Sequence, residues 1–295
     1  MTNISASPLE VLPFALLLVA VLGLWIHRAV WIGALIASVV AGYWTGALDG
    51  FAAVWLAVVA ALAVRYRWVR ARPPSPQTTL LRVLFGLALF VMTLAVGLAM
   101  LPGFPRTTLV EAVALTPGAI PYGIGLGFAK VAPAILILGI INTERVRSWR
   151  ELARVLKRAM PIWMVTVAAV IMFSMALGYV RLEPKWTSLF LVWAVTNLFF
   201  TCLAEETFFR GFVQHELAGI RRDSTPVAIM AIAVSAVLFG LIHFAGGLTY
   251  VLAGVVAGAG YGLAYHLTKR IEASMAVHFA VNATHFLLFT YPAVA

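Results

Sequence analysis

Apolar residues in this chain come in long runs rather than in the alternating or one-in-three patterns of a soluble core. Divided at polar residues, they form about ten stretches, near residues 10–26, 29–46, 50–64, 80–101, 119–141, 161–180, 187–213, 226–244, 248–267 and 273–291. A helix of about 20 apolar residues crosses the hydrocarbon core of a bilayer. The pattern therefore predicts an all-α polytopic membrane protein with about ten transmembrane helices. Composition agrees, because 63% of the 295 residues are hydrophobic and 11% are charged, against about 45–50% and about 25% in soluble domains. A soluble globular fold is excluded.

The formal net charge of +10 would suggest nucleic acid in a soluble protein. Here the charges sit in short loops and report topology, so the expected surroundings are the lipid bilayer and no nucleic-acid partner is expected. With the N-terminus outside, the inner loops carry Arg28, then Arg65, Arg67, Arg70, Arg72 and Arg82, then the cluster Arg145 to Arg158, then Arg221 and Arg222, then Lys269 and Arg270. These are 16 of the 21 basic residues. The opposite loops hold Arg106, Arg181 and Lys185, while Lys130 and Arg210 lie within or beside spans. Such asymmetry is the positive-inside pattern of a protein of the cytoplasmic (inner) membrane with both termini outside. The single cysteine, Cys202, excludes an intramolecular disulfide and a multi-cysteine metal site. Met1 to Pro8 contain no basic segment, so a cleaved signal peptide is not expected.

Three parts follow. Residues 1–142 form an N-terminal region of about five spans, interrupted after the third by Pro73, Pro74 and Pro76. Residues 143–160 form a basic cytoplasmic segment in which Leu152, Val155, Leu156 and Ala159 are spaced for an amphipathic surface helix. Residues 161–295 form the C-terminal region, where most of the unusual polarity collects.

Burying an ionisable side chain at membrane depth costs about 2.5–3.5 kcal/mol on insertion scales, so such residues face cavities or each other. Several of them fall in three short segments: Glu205-Glu206-Thr207-Phe208-Phe209-Arg210, Phe239-Gly240-Leu241-Ile242-His243, and His278-Phe279-Ala280-Val281-Asn282. Glu206 and Arg210 are four apart and share a helix face, whereas Glu205 lies about 100° round. His278 and Asn282 are also four apart.

Adjacent glutamates with an arginine four after the second, then Phe and His four apart, then His and Asn four apart, resemble the intramembrane CAAX-protease and bacteriocin-processing family over roughly residues 187–291. The resemblance implies an intramembrane endopeptidase acting on a membrane-associated peptide or protein, with Glu205, Glu206, Arg210, His243, His278 and Asn282 at its site. The chemistry of the residues agrees. A peptidase without a serine or cysteine nucleophile must activate water with a buried base and stabilise an oxyanion. Glu205 can be that base, His243 can position the water, and His278 and Asn282 can donate to the oxyanion. Arg210 can orient Glu206, which tunes Glu205 by like-charge proximity. No cofactor is required for this, but Glu205, His243 and His278 could equally hold zinc with an open position, and both mechanisms stay open at this point. At about 1.5 Å per residue, Glu205 lies about 20 Å and His243 about 27 Å from the turn between their helices. His278 follows the Lys269-Arg270 turn so closely that a tilted or recessed last helix is required.

Other features carry plainer readings. Gly254, Gly258 and Gly262 suit close helix packing. Cys202 reads as a small packing residue, His215 and His266 as interfacial, and His285 as structural. Pro117 to Gly127, followed by Lys130, reads as a broken helix with a buried charge, which favours a transporter or channel as the alternative, or else as a substrate groove or re-entrant segment. A non-catalytic peptide-binding or immunity protein is a further alternative that would not need the glutamates and histidines. The topology has a direct check: in a Cys202→Ser background, Arg150→Cys is expected to react with an impermeant maleimide from the cytoplasmic side and Arg106→Cys from the opposite side. The reverse labelling would refute the charge argument.

Overall fold

The computed structural model describes residues 5–141, 144–221 and 223–295. Arg222, the division expected at 142–143 and the first four residues of the segment read for signal-peptide character lie outside the described residues. The fold is nearly all α. Its helices are α1 (Pro8–Gly23), α2 (Arg28–Trp44), α3 (Gly50–Arg70), α4 (Pro76–Gly97), α5 (Phe128–Ile141), α6 (Trp149–Ala176), the composite α7 (residues 190–218), α8 (Thr225–Leu241), α9 (Gly247–Thr268) and α10 (Ile271–Leu288). A helix begins where a side chain can take up its free first-turn N–H groups. Ser7 with Glu10, and Ser75 with Thr78, form reciprocal capping boxes. The Asp49 carboxylate accepts from Phe51 N at 2.8 Å, and the Ser148 hydroxyl from Glu151 N at 3.2 Å.

The helices follow the apolar runs, yet not all are long enough to cross a membrane. Among the described residues, four meet that requirement by length and composition: Gly50–Arg70, Pro76–Gly97, Trp149–Ala176 and the helical stretch Phe244–Thr268. Pro8–Gly23, Arg28–Trp44, Phe128–Ile141 and Thr225–Leu241 are shorter apolar helices. The expectation of about ten crossings is therefore not confirmed. For these four shorter helices the reason is length: the 14 residues of α5 rise only about 21 Å at about 1.5 Å per residue. The large exposed side chains are apolar on several helices, among them Leu80, Val83, Leu84, Leu87 and Val91 of α4. A face of that kind suits lipid rather than water.

Two segments depart from the sequence reading. Residues 119–127 are not the start of a span. β1 (Thr107–Val113) and β2 (Tyr122–Leu126) form an antiparallel hairpin, and α5 begins only at Phe128. Gly123, Gly125 and Gly127 disfavour helix there, whereas Thr107, Thr108, Val110 and Val113 favour a pleated strand. The basic surface segment is not a separate helix either. It is the first part of α6, which runs unbroken past Pro161 and buries Val155 and Ala159 of the expected apolar face, while Leu156 stays exposed.

The core lies around α5, whose residues from Val131 to Leu138 are all buried. α7 is buried at every residue from Cys202 to Gln214. The loops sort to two ends. At one, Arg70 and Arg82 pair with Glu216, and Arg270 pairs with Glu144 and Glu151. At the other, bridges join Ala119 to Val294 and Leu182 to Phe289. The stripe of small residues on α9 meets α8: a Cβ on Gly258 would lie 3.0 Å from Ala236 Cα, and one on Gly254 3.0 Å from Gly240 Cα. Gly258→Val is expected to destabilise the protein by about 1–3 kcal/mol through overpacking. Gly33→Ala, where a Cβ would meet nothing within 4 Å, is expected to be neutral or stabilising by less than about 1 kcal/mol. Unfolding of the purified protein in mixed micelles checks both.

Candidate active site

α7 starts as an ordinary helix at Phe190–Thr196, widens into a π-helical stretch at Asn197–Cys202, tightens at Leu203–Glu206, widens again at Thr207–Gln214 and ends at His215–Ala218. Backbone angles stay in the right-handed helical region at each junction, so this is one continuous rod. Such π insertions re-aim side chains and are found at functional sites. The short α-turn between them carries the two glutamates.

Glu206 is fully buried, as is Arg210, and the two meet at 3.1 Å from Arg210 Nη1 to Glu206 Oε1. The same oxygen lies 2.8 Å from His278 Nδ1. Arg210 also donates through Nη2 to the Gly258 carbonyl at 2.8 Å, and its guanidinium stands 4.7 Å from the Phe239 ring centre and 5.3 Å from that of Tyr261. Glu206 and Arg210 therefore tie α7 to α9 and α10. A buried charge is tolerable only when it is matched and hydrogen-bonded.

Glu205 points elsewhere. Its Oε1 accepts from Lys130 Nζ at 2.9 Å, and its Oε2 lies 3.9 Å from His278 Nε2. His278 thus stands between the two carboxylates, stacked on Tyr261 with ring centres 4.5 Å apart. It reaches this depth because the last helix is recessed: Ile271, Glu272, Ala273 and Ser274 are buried, and Glu272 Oε1 accepts from Val146 N and Trp25 Nε1. His243 Nδ1 is 2.7 Å from the Phe239 carbonyl, four residues earlier. A carbonyl only accepts, so Nδ1 carries the hydrogen and Nε2 of the neutral ring is left as an acceptor. Asn282 donates through Nδ2 to Asn197 Oδ1 at 3.2 Å. Glu205, His243, His278 and Asn282 all line one cavity of about 300 Å³.

The structure brings together all six residues singled out in the sequence and adds two more. Asn197 fixes Asn282 and also accepts from Cys202 Sγ at 3.3 Å. A lone amide in an apolar run is the signal that could have marked it. Lys130 stood out as a charge in an apolar run and was read as pointing to transport. It is instead the partner of Glu205, 75 residues away in sequence, a pairing that spacing cannot reveal. His285 lines the same cavity and lies 3.1 Å from the Thr290 carbonyl. As for zinc, among the described residues no group of three or more His, Cys, Asp or Glu side chains is placed to hold a metal ion. One Glu205 oxygen is also occupied by an ammonium group.

The scaffold is thus helical, with one carboxylate, two histidines and an amide around a cavity and a second carboxylate buried behind them against Arg210. Residues 185–284, about a third of the chain, match the family model of the type II CAAX prenyl endopeptidases, Rce1-like. This segment, which runs from just before α7 into α10 and holds all six residues, carries a domain of that kind. Lys130 lies outside it. No curated protein and no solved structure matches the chain.

The Glu206 network has a stability consequence. Arg210→Met is expected to destabilise by about 3–5 kcal/mol, because it leaves the Glu206 charge buried and unmatched. Adding Glu206→Gln should recover most of the loss, since the remaining amide is neutral. Equal unfolding midpoints for the single and double variants would contradict the pairing.

Proposed function

We propose that the chain is an intramembrane endopeptidase that hydrolyses a peptide bond of a membrane-associated peptide or protein. The proposed reaction uses water activated by Glu205 and needs no cofactor. The observation that carries this reading is the opening of Glu205, His243, His278 and Asn282 onto one buried cavity within the segment that matches the endopeptidase family. The C-terminal region, 161–295, is the catalytic part in this reading, and the N-terminal spans shape access to it.

Each residue takes a role that its contacts permit. Glu205 has one oxygen held by Lys130 and the other, Oε2, turned towards His278. That second oxygen takes the proton of the attacking water, and His243, with Nε2 as an acceptor, aligns the same water. Glu206 accepts from His278 Nδ1, so Nε2 carries a hydrogen only in the imidazolium form. In that form it donates to the oxyanion of the tetrahedral intermediate and then passes its proton to the leaving amine. Asn282 spends one amide hydrogen on Asn197; its Nδ2 has a second, long contact of 4.0 Å to Cys202 Sγ, weak enough for the other hydrogen to turn to the oxyanion.

The transporter alternative rested on a broken helix with a buried lysine. That segment is a hairpin whose following lysine pairs with Glu205, so the feature no longer argues for transport. The substrate class stays at the level of a membrane-associated peptide, with a prenylated C-terminus as the form that the family description suggests.

Three substitutions test the assignment. Glu205→Gln and His243→Ala are expected to abolish cleavage of an isoprenylated fluorogenic peptide by protein that is still inserted and folded, the base alone being worth about 10²–10⁴-fold. Asn282→Ala is expected to cost about 10²–10³-fold, as deletion of one oxyanion donor does. Activity is expected to survive a strong chelator. Cleavage retained by Glu205→Gln would refute the role of the base, and chelator loss with rescue by zinc would install the metal mechanism.

A further inference from the structure

A second cavity, of about 430 Å³, adjoins the first. The two share Tyr122, Lys130, Asn197 and Thr201 in their walls, so the Glu205–Lys130 pair stands at the boundary between them. Every residue from Tyr122 to Gly127 lines the second cavity, while none from Thr107 to Val113 does. Side chains alternate across a strand, and a wall formed by one face would show every second residue. A wall formed by all of β2 and none of β1 is the strand's edge, on the side away from its partner. β2 pairs with β1 alone, and glycines at 123 and 125 keep its backbone bare.

The chamber also has a charge. Its walls hold Arg106 and Lys130 and no acidic side chain. Lys130 is engaged by Glu205. Arg106 forms no ion pair among the described residues, and its guanidinium lies against β2, where a Cβ on Gly125 would come within 3.0 Å of Nη2. A bare strand edge that leads to a proposed scissile-bond site, with an unmatched guanidinium beside it, suits one kind of occupant.

We propose that this chamber binds the substrate next to its scissile bond as an extended segment added to the free edge of β2, with a substrate carboxylate against Arg106. The proposal rests on the endopeptidase reading and adds a recognition site whose strand edge and guanidinium lie outside the family-matched residues. The five residues of β2 span about 16 Å at roughly 3.3 Å per residue, so four or five substrate residues can pair. Backbone hydrogen bonds would then supply affinity largely independent of side chains, as in other cases of strand addition, and the guanidinium would supply selection for an anion. The carboxylate could be the chain terminus or an acidic side chain.

The experiment uses the full chain in lipid nanodiscs and fluorescent peptides whose cysteine, four residues from the C-terminus, bears an isoprenyl thioether. Dissociation constants and cleavage rates are read together. Because a paired strand uses alternate N–H groups, N-methylation along the peptide is expected to weaken binding about tenfold or more at every second position on one side of the cleavage point and to leave the intervening positions unchanged. The free acid is expected to bind about tenfold tighter than the C-terminal amide, and Arg106→Gln is expected to erase that difference. An amide peptide with an internal Glu distinguishes the sources: recovered binding assigns a side chain, and no recovery assigns the terminus. A uniform response to N-methylation, or an acid preference that survives Arg106→Gln, overturns the proposal. Binding with the alternating pattern but without cleavage would refute the endopeptidase reading and leave the chamber standing; cleavage without the pattern does the reverse.

Discussion

An ionised carboxylate inside a helix bundle has to be met by cations and donors held in place by the fold, and in this chain Glu206 carries that demand. It has no exposure to solvent, and both Arg210 and His278 converge on one of its oxygens. Each partner is fixed in turn. Arg210 reaches across to the Gly258 carbonyl and packs beneath Phe239 and Tyr261, and His278 lies flat on Tyr261. The close approach of α8 and α9, the recessed start of α10 and the π-widened path of α7 are the conditions under which these groups can meet. Glu206 Oε2 and Arg210 Nε have no hydrogen-bond partner among the described residues, so the network rests on the contacts to Glu206 Oε1 and to the Gly258 carbonyl. Losing any of them leaves a buried charge exposed to the full desolvation cost.

With Glu206 committed to the scaffold, its neighbour Glu205 is released for another task. Adjacent helical residues point about 100° apart, and this angle alone separates a structural carboxylate from one that faces a cavity. The cation that meets Glu205 comes from α5, in the N-terminal half, and not from the segment that matches the endopeptidase family. Lys130 therefore links the two halves chemically. The hairpin before α5 does so sterically, since β2 walls the chamber beside the site. In the reading proposed here, the C-terminal helices hold the reacting groups, and the N-terminal half completes their charge balance and shapes what reaches them.

The sequence by itself determined the membrane character and the approximate position of most of the helices, because long apolar runs and their polar breaks are local properties. It also marked Glu205, Glu206, Arg210, His243, His278 and Asn282, since ionisable or amide groups at four-residue spacing in apolar runs stand out without any knowledge of the fold. The tertiary structure decided the rest. That 119–127 form a hairpin rather than the start of a span depends on pairing between segments, which periodicity does not encode. How many helices are long enough to cross a bilayer depends on where each starts and stops, to within a turn. That Lys130 meets Glu205 and Asn197 meets Asn282, each from far along the chain, follows from helix packing alone: a side chain's own neighbourhood in sequence says that a buried charge needs a partner, and only the folded bundle selects which one.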